Sequence, residues 1–273
     1  MTDVKVRKID FQFDEDIPFR FNPRNIGASD WVNAATLIAP EFEGHFIRVI
    51  RGVMPQLSGP VKRDADLFCK QEAQHAKHHI AHQALLLKKY PQLEDTRDKI
   101  HASYTRLLDE ESLEFNLAYA ASVELCFGPA TRFFVEQREN LFRGGDPRIA
   151  AFMLWHFVEE FEHRNCAIDV YNAIVGRHAY RVRYFWRTIC HLQNAFEIAA
   201  EGLDACTPER VSFRGMLAGL VTGASLSSVT RLLLTLAGTL LPSHNPDNLR
   251  QPEWATQWFA DEAMGKDMRL VEL

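Results

Sequence analysis

The chain has 273 residues, of which 47% are hydrophobic and 25% are charged, and its formal net charge is −5. This composition provides a sizeable core and excludes an intrinsically disordered chain, and the weakly acidic balance gives no electrostatic reason to expect nucleic acid as a partner. The five cysteines include no Cys-x-x-Cys pair, which indicates reduced thiols. Because the N-terminus also lacks the apolar core of a secretory signal, we expect a cytoplasmic protein.

Helical periodicity dominates the chain after an N-terminal arm, residues 1–28, that we expect to be extended and to wrap over the rest. The pattern predicts helices over residues 40–51, 61–90, 112–142 and 147–175, with Pro91 ending the second and with Asp146 and Pro147 starting the fourth. No strand pattern of comparable length competes with them. The sequence therefore predicts an all-α fold in one domain, residues 1–273, with a four-helix core over residues 29–176.

Further helices are expected after this core, in residues 177–241. One should cover residues 178–203, and another should begin at Thr207 and continue to Leu241 with a break near Gly223; residues 242–273 form a tail with a short amphipathic piece at 254–264. Within the apolar segment 215–241 the longest uncharged run has sixteen residues, too few to span a membrane. We interpret the segment as core or a subunit contact, with a substrate tunnel or a peripheral membrane contact as alternatives.

The most informative motif is Glu-x-x-His, which occurs at Glu72–His75 and again at Glu160–His163. A Glu and a His three residues apart on an α-helix lie on the same side, so one such pair can offer a carboxylate oxygen and an imidazole nitrogen to one cation. Each motif also follows a Glu in an otherwise apolar segment. With these two residues, Glu43 and Glu124, the order predicts the dinuclear carboxylate site of a ferritin-like four-helix bundle.

A third imidazole, His156, precedes Glu160 by four residues. At about 100° per residue, Glu160 and His163 lie roughly 40° and 20° from the direction of His156, so three ligand types share one stripe of the helix. The alternative is a solvated acidic edge, and for the first motif it is a His-rich surface formed with His78, His79 and His82. Three polar residues are expected to support the ligands, with His79 also open as a ligand itself: His79, Glu159 and Asp169.

Four segments of the chain resemble the bacterial family catalogued as predicted metal-dependent hydrolases: residues 40–46, 71–75, 123–124 and 155–163, with the similarity continuing over 167–171. The resemblance covers residues from about 35 to 190, which is more than half of the chain. It implies a metal-binding protein and, by the family name, hydrolysis. The motif itself is typical of ferritin-like proteins rather than of hydrolases.

The spacing of His156, Glu160 and His163 is also similar to that of p-aminobenzoate N-oxygenase and related di-iron arylamine oxygenases. This resemblance implies a site of four carboxylates and three imidazoles: Glu43, Glu72, Glu124, Glu160, His75, His156 and His163.

Carboxylate and imidazole ligands without thiolate favour two iron ions, with manganese as an alternative. We therefore expect a non-haem di-iron oxygenase or oxidase that activates O₂ and acts on a small organic substrate, with an apolar one as an open option. The chain has no nucleotide-binding fingerprint, so a separate electron donor is expected, and a homodimer is left open. The alternative is a two-metal hydrolase; a ferroxidase or iron-binding protein ranks third.

Overall fold

A computed structural model of the protein describes residues 4–271 and 273, and in this part of the chain it contains α-helices, two short 3₁₀ turns and no β-strand. The expected all-α fold is confirmed. In chain order the α-helices are α1 (Ile26–Val53), α2 (Gly59–Lys89), α3 (Leu93–Glu110), α4 (Leu113–Glu136), α5 (Arg138–Phe142), α6 (Pro147–Glu162), α7 (Cys166–Ile174), α8 (His178–Asp204), α9 (Phe213–Val221), α10 (Leu226–Gly238) and α11 (Glu253–Ala263).

The first helix begins well before the residue at which it was expected, so a start at Pro40 is wrong. Asn25 caps the N-terminus of α1, because its Oδ1 accepts a hydrogen bond from the backbone N–H of Ala28 at 3.1 Å. Pro40 lies inside the helix and cannot donate to the carbonyl of Thr36. Gln83 on α2 offsets this loss, since its Nε2 lies 3.5 Å from that carbonyl oxygen.

The third and fourth expected helices are each divided in two. α4 ends at Glu136 and α5 follows after Gln137, whose φ and ψ of −97° and 11° leave the helical region. α6 starts as expected, with Asp146 Oδ1 accepting from the backbone N–H of Arg148 at 2.9 Å, but it ends at Glu162. Arg164 stabilises this end, because its Nη1 donates to the carbonyl of Phe161 at 2.6 Å.

One helix, α3, lies in a stretch to which the sequence analysis assigned no element. Its buried residues recur at helical spacing, and they pack toward α8 and α1; they are Leu93, Thr96, Ile100, Ser103, Tyr104 and Leu107.

Helices α1, α2, α4 and α6 form the centre of the molecule. α1 packs against α2, and α4 packs against α6, while α7 covers α2 and α4 and α8 covers α1, α3 and α4. This arrangement is consistent with the ferritin-like bundle predicted from the motifs. Residues 4–24 are non-helical and lie over the bundle, with Phe11, Ile17 and Phe21 buried.

The C-terminal helices differ from expectation at their start. Ser212, rather than Thr207, caps α9, while the expected break near Gly223 is confirmed, since this residue has a φ of +76° between α9 and α10. Residues of α10 face solvent, with Leu226 83% and Leu234 69% exposed, so the core interpretation is wrong for this helix. Among the described helices none is by itself long and apolar enough to cross a membrane; α9 and α10 meet that criterion only as a pair bent by 117°.

Candidate metal centre

The seven predicted ligands come together in the interior of the bundle. Glu43 comes from α1, the Glu72–His75 pair from α2, Glu124 from α4, and His156 with Glu160 from α6, while His163 is the residue that ends α6. Six of the seven side chains are 0–2% exposed, and His156 is 6% exposed. The alternative of a solvated acidic edge is therefore wrong, and so is that of a His-rich surface, because His78, His79 and His82 are buried as well.

One candidate metal position is formed around His163. Its Nε2 lies 3.1 Å from Glu72 Oε1, 3.5 Å from Glu124 Oε2 and 3.2 Å from Glu160 Oε2. One ligand atom from each of these four residues lies within 4.8 Å of those of the other three. Three carboxylates and one imidazole at this spacing can surround one cation.

A second candidate position lies beside His75 and His156. Glu43, Glu72 and His75 offer one group of ligand atoms within 4.8 Å of one another, and His75, His156 and Glu160 offer another. His75 Nδ1 is 3.4 Å from Glu160 Oε1, and His156 Nε2 is 2.9 Å from the same oxygen. Glu72 and Glu160 belong to both positions, which is where the bridging carboxylates of a dinuclear site are expected.

Unpaired polar atoms in the centre fit this interpretation. Both carboxylate oxygens of Glu43, Glu72 and Glu124, and Nδ1 of His75, form no hydrogen bond within the part of the chain that the structure describes. Burying carboxylates without partners is costly. Divalent cations would satisfy these atoms, so the residues present fit a pair of metal ions.

The pKa shifts also show that these carboxylates are buried close together and repel one another. Burial, followed by repulsion from Glu72, raises the pKa of Glu43 well above its ordinary value, and burial with repulsion from Glu160 raises that of Glu124 to about 8. For Glu160 burial acts in the same direction, but the charge of His163 and hydrogen bonds from the surrounding imidazoles outweigh it and hold its pKa well below the usual range. Without cations, the cluster can therefore ionise only part of its carboxylates.

Each candidate imidazole ligand uses its outer nitrogen in a contact with another side chain. His75 Nε2 lies 3.0 Å from Glu159 Oε2, and His156 Nδ1 lies 2.9 Å from His79 Nε2. Such outer contacts fix the orientation and tautomer of metal-bound imidazoles. The structure thus places Glu159 behind His75, whereas His79 lies behind His156 and also offers a ligand atom within 4.8 Å of those of Glu43 and His156.

The third predicted supporting residue, Asp169, is placed differently. It is exposed on α7, at a small polar cleft that also touches His163. No ion pair or hydrogen bond joins it to a candidate ligand among the described residues, so a supporting role for Asp169 remains a prediction.

Two residues behind the ligands were given no role from sequence. Gln71 Oε1 lies 3.0 Å from His163 Nδ1, and Arg7 Nη1 donates to Glu159 Oε1 at 3.0 Å. Burial disfavours the charged guanidinium, but hydrogen bonds and charges from Glu162 and Glu159 outweigh this effect and raise the pKa of Arg7 above its ordinary value. Gln71 directly precedes a ligand and could have been suspected for that reason; nothing in the local sequence distinguishes Arg7.

Comparison with known families agrees with this site. The model of a family described as predicted metal-dependent hydrolase matches residues 5–249. The chain belongs to that family. The family description supports hydrolysis, the alternative from the sequence, better than the oxygenase or oxidase function that we expected first. It supports metal dependence without naming the metal, and neither the curated proteins nor the solved structures gave a match.

Proposed function

We propose that this protein is a dinuclear metal-dependent enzyme of the hydrolase class. The observation that carries the proposal is the buried convergence of four carboxylates and three imidazoles, in which seven polar atoms form no hydrogen bond with the described residues. Membership of the predicted metal-dependent hydrolase family supports the reaction class. Bound divalent metals would supply Lewis acidity, which activates water for attack on an ester or a phosphate.

The seven residues would hold two cations between them. Glu72 and Glu160 would bridge the two positions, Glu124 and His163 would complete one, and the second would be completed by Glu43, His75 and His156. A polar cleft of about 20 Å³, lined in part by Asp64, Glu162 and His163, reaches the edge of the centre. This volume has room for about one water molecule, the second substrate of a hydrolase.

Oxidation by O₂ at two iron ions is the second candidate. The helix-borne, Glu-rich and thiolate-free ligand set favours it, because carboxylate and imidazole ligands of this kind suit iron or manganese. The position of His156 before Glu160 supports it further through the resemblance to di-iron arylamine oxygenases. In that case the protein would need a separate electron donor.

Metal exchange distinguishes the two reactions. The metals are removed with a chelator, and the protein is reloaded anaerobically with ferrous iron, manganese or zinc. A hydrolase should cleave chromogenic esters or phosphate esters with redox-inert zinc as well as with manganese. An oxidase should consume O₂ as the ferrous protein and lose turnover with zinc. A chain that binds none of the three metals would contradict both candidates.

A further inference from the structure

The N-terminal arm contacts the surroundings of the metal centre through Arg7. This side chain is 6% exposed, and its guanidinium binds two carboxylates of α6. Nη1 and Nη2 donate to the two oxygens of Glu162, each at 3.0 Å, and Nη1 also donates to Glu159 Oε1 at 3.0 Å. The rigid fork of a guanidinium restricts the orientation of both carboxylates.

Helix α11 completes the binding site of this guanidinium. Arg7 Nε lies 3.3 Å from Glu262 Oε2, and the guanidinium carbon lies 5.0 Å from the centre of the Phe259 ring and 5.7 Å from that of Trp258. Helix α11, near the other end of the chain, therefore holds Arg7 against α6.

The contact with Glu159 determines which nitrogen of His75 faces the metal centre. A carboxylate paired with a guanidinium accepts hydrogen bonds and donates none. In the neutral His75 ring, the form that binds metal, the proton therefore lies on Nε2, which is 3.0 Å from Glu159 Oε2. Its Nδ1 keeps a lone pair, and this atom forms no hydrogen bond with the described residues.

Arg7 is also linked to His163, through Glu162 and Gln71. The Gln71 amide nitrogen donates to Glu162 Oε2 at 2.7 Å and to the carbonyl of Lys5 at 3.0 Å, which fixes the direction of the amide group. Gln71 Oε1 then accepts from His163 Nδ1 at 3.0 Å, so in the neutral, metal-binding form of His163 the lone pair lies on Nε2, toward the carboxylates.

We propose that Arg7 is a positioning residue of the metal centre, which fixes the metal-binding nitrogens of His75 and His163 by orienting Glu159 and Glu162. The two imidazoles belong to different candidate positions, so one arm residue supports both. This inference rests on the proposed metal centre but goes beyond it, because among the described residues the hydrogen bonds and ion pairs of Arg7 involve none of the seven candidate ligands.

The test compares Arg7→Gln with Lys88→Gln, which removes an ion pair between α2 and Glu15 of the same arm at the surface. Metal affinity is measured by competition with a chelator, and the ligand geometry by the visible spectrum of the cobalt-loaded protein. Loss of an outer contact typically weakens metal binding by about 10- to 100-fold. We expect that loss, and a changed cobalt spectrum, for Arg7→Gln, and neither for Lys88→Gln.

A double-mutant cycle separates positioning from general stability. If Arg7 acts on His75 through Glu159, then Arg7→Gln should weaken binding at the His75 position much less in a Glu159→Gln background than in the wild type. Arg7→Lys, which keeps the charge but loses the fork, provides a second variant if Arg7→Gln does not fold, and an intermediate loss is expected. Additive losses in the cycle, or unchanged affinity and spectrum in the Arg7 variants, would overturn the role of Arg7 alone. A wild-type chain that binds no metal would overturn the metal centre itself.

Discussion

His79 Nε2 lies 2.9 Å from His156 Nδ1, and the other nitrogen of His79 lies 3.2 Å from Thr36 Oγ1, which is 2.9 Å from His82 Nδ1. Two opposite directions of donation satisfy all three contacts, and the one that leaves His156 Nε2 for a metal has His156 donating to His79, His79 to Thr36 and Thr36 to His82. Burial lowers the pKa of His79 well below its ordinary value and that of His82 to about 4, so both rings are neutral near neutral pH, as this assignment requires. His156 Nε2 is then free to bind metal beside Glu160.

The first prediction follows from this row of contacts. His79→Leu removes the acceptor for His156 Nδ1–H, which leaves a buried donor unpaired and the ring less well oriented. We expect the metal bound at the His156 position to be held about 10- to 100-fold more weakly, with the helical content kept. Metal content after dialysis against a chelator measures the loss. His101→Leu, at an exposed histidine, should leave it unchanged, and equal retention in the two variants would contradict the prediction.

The second prediction concerns stoichiometry. Glu124 belongs to one candidate position and Glu72 to both, so the wild type should bind two ions per chain. Glu124→Ala should weaken mainly one of them, whereas Glu72→Ala should weaken both. Metal analysis with titration by manganese or ferrous iron measures the difference. Glu41→Ala, which removes only a surface contact with His101, serves as the control. Identical losses in the Glu124 and Glu72 variants would contradict two separate positions.

The convergence of the candidate ligands could be predicted from sequence because helical geometry converts spacing into position. Glu72 and His75 must lie on one side of any helix that contains both, and their buried convergence with the second motif needs only that four helices pack together. The division of α6 from α7 could not be predicted in this way, because no Gly or Pro marks it; the side chain of Arg164 stabilises the end instead.

Arg7 could not be predicted for a related reason. It lies in a non-helical arm, and its partners Glu159 and Glu162 follow more than 150 residues later. No local periodicity connects such positions. The burial of the acidic residues of α6 rejects the alternative of a solvated edge, and Arg7 supplies the cation that pairs with two of them, Glu159 and Glu162.

The third prediction concerns pH. Burial and repulsion from Glu160 raise the pKa of Glu124 to about 8 from an ordinary value of 4.5. Between these pH values the folded, metal-free chain holds a proton that the unfolded chain has lost. The contribution of Glu124 to the free energy of unfolding therefore decreases as pH rises through this window. Burial alone acts against the proton on His75 and His163, but their carboxylate neighbours raise both pKa values, so these residues also lose stabilisation as pH rises.

Urea unfolding of the chelator-treated protein across this pH range measures the effect, and Glu124→Gln should reduce the slope. Because a bound cation displaces the proton, metal binding near neutral pH should release it, and the release from Glu124 should fade above pH 8. Calorimetry in buffers with different ionisation enthalpies counts the protons. A binding enthalpy that is independent of the buffer near neutral pH would contradict the prediction.

Gly219 of α9 and Gly27 of α1 meet at the contact between these two helices. A Cβ atom on Gly219 would lie 2.6 Å from Gly27 Cα, and a Cβ atom on Gly27 would lie 2.9 Å from Gly219 Cα. Asn25 holds the same contact, because its Nδ2 donates to the carbonyl of Gly219 at 2.9 Å. Backbone faces backbone here, so no flexible side chain can move aside.

The last prediction is therefore that Gly219→Ala destabilises the protein, although alanine normally stabilises the middle of a helix by roughly 0.5–1 kcal/mol. Overpacking at a backbone contact should lower the free energy of unfolding by about 1–3 kcal/mol. Gly52→Ala on α1 is the matched control, since a Cβ atom there would meet nothing within 4 Å and should be neutral or stabilising. Urea unfolding of both variants gives the comparison. Equal stability of the two variants would mean that α9 can shift on α1 without cost, contrary to the close glycine contact.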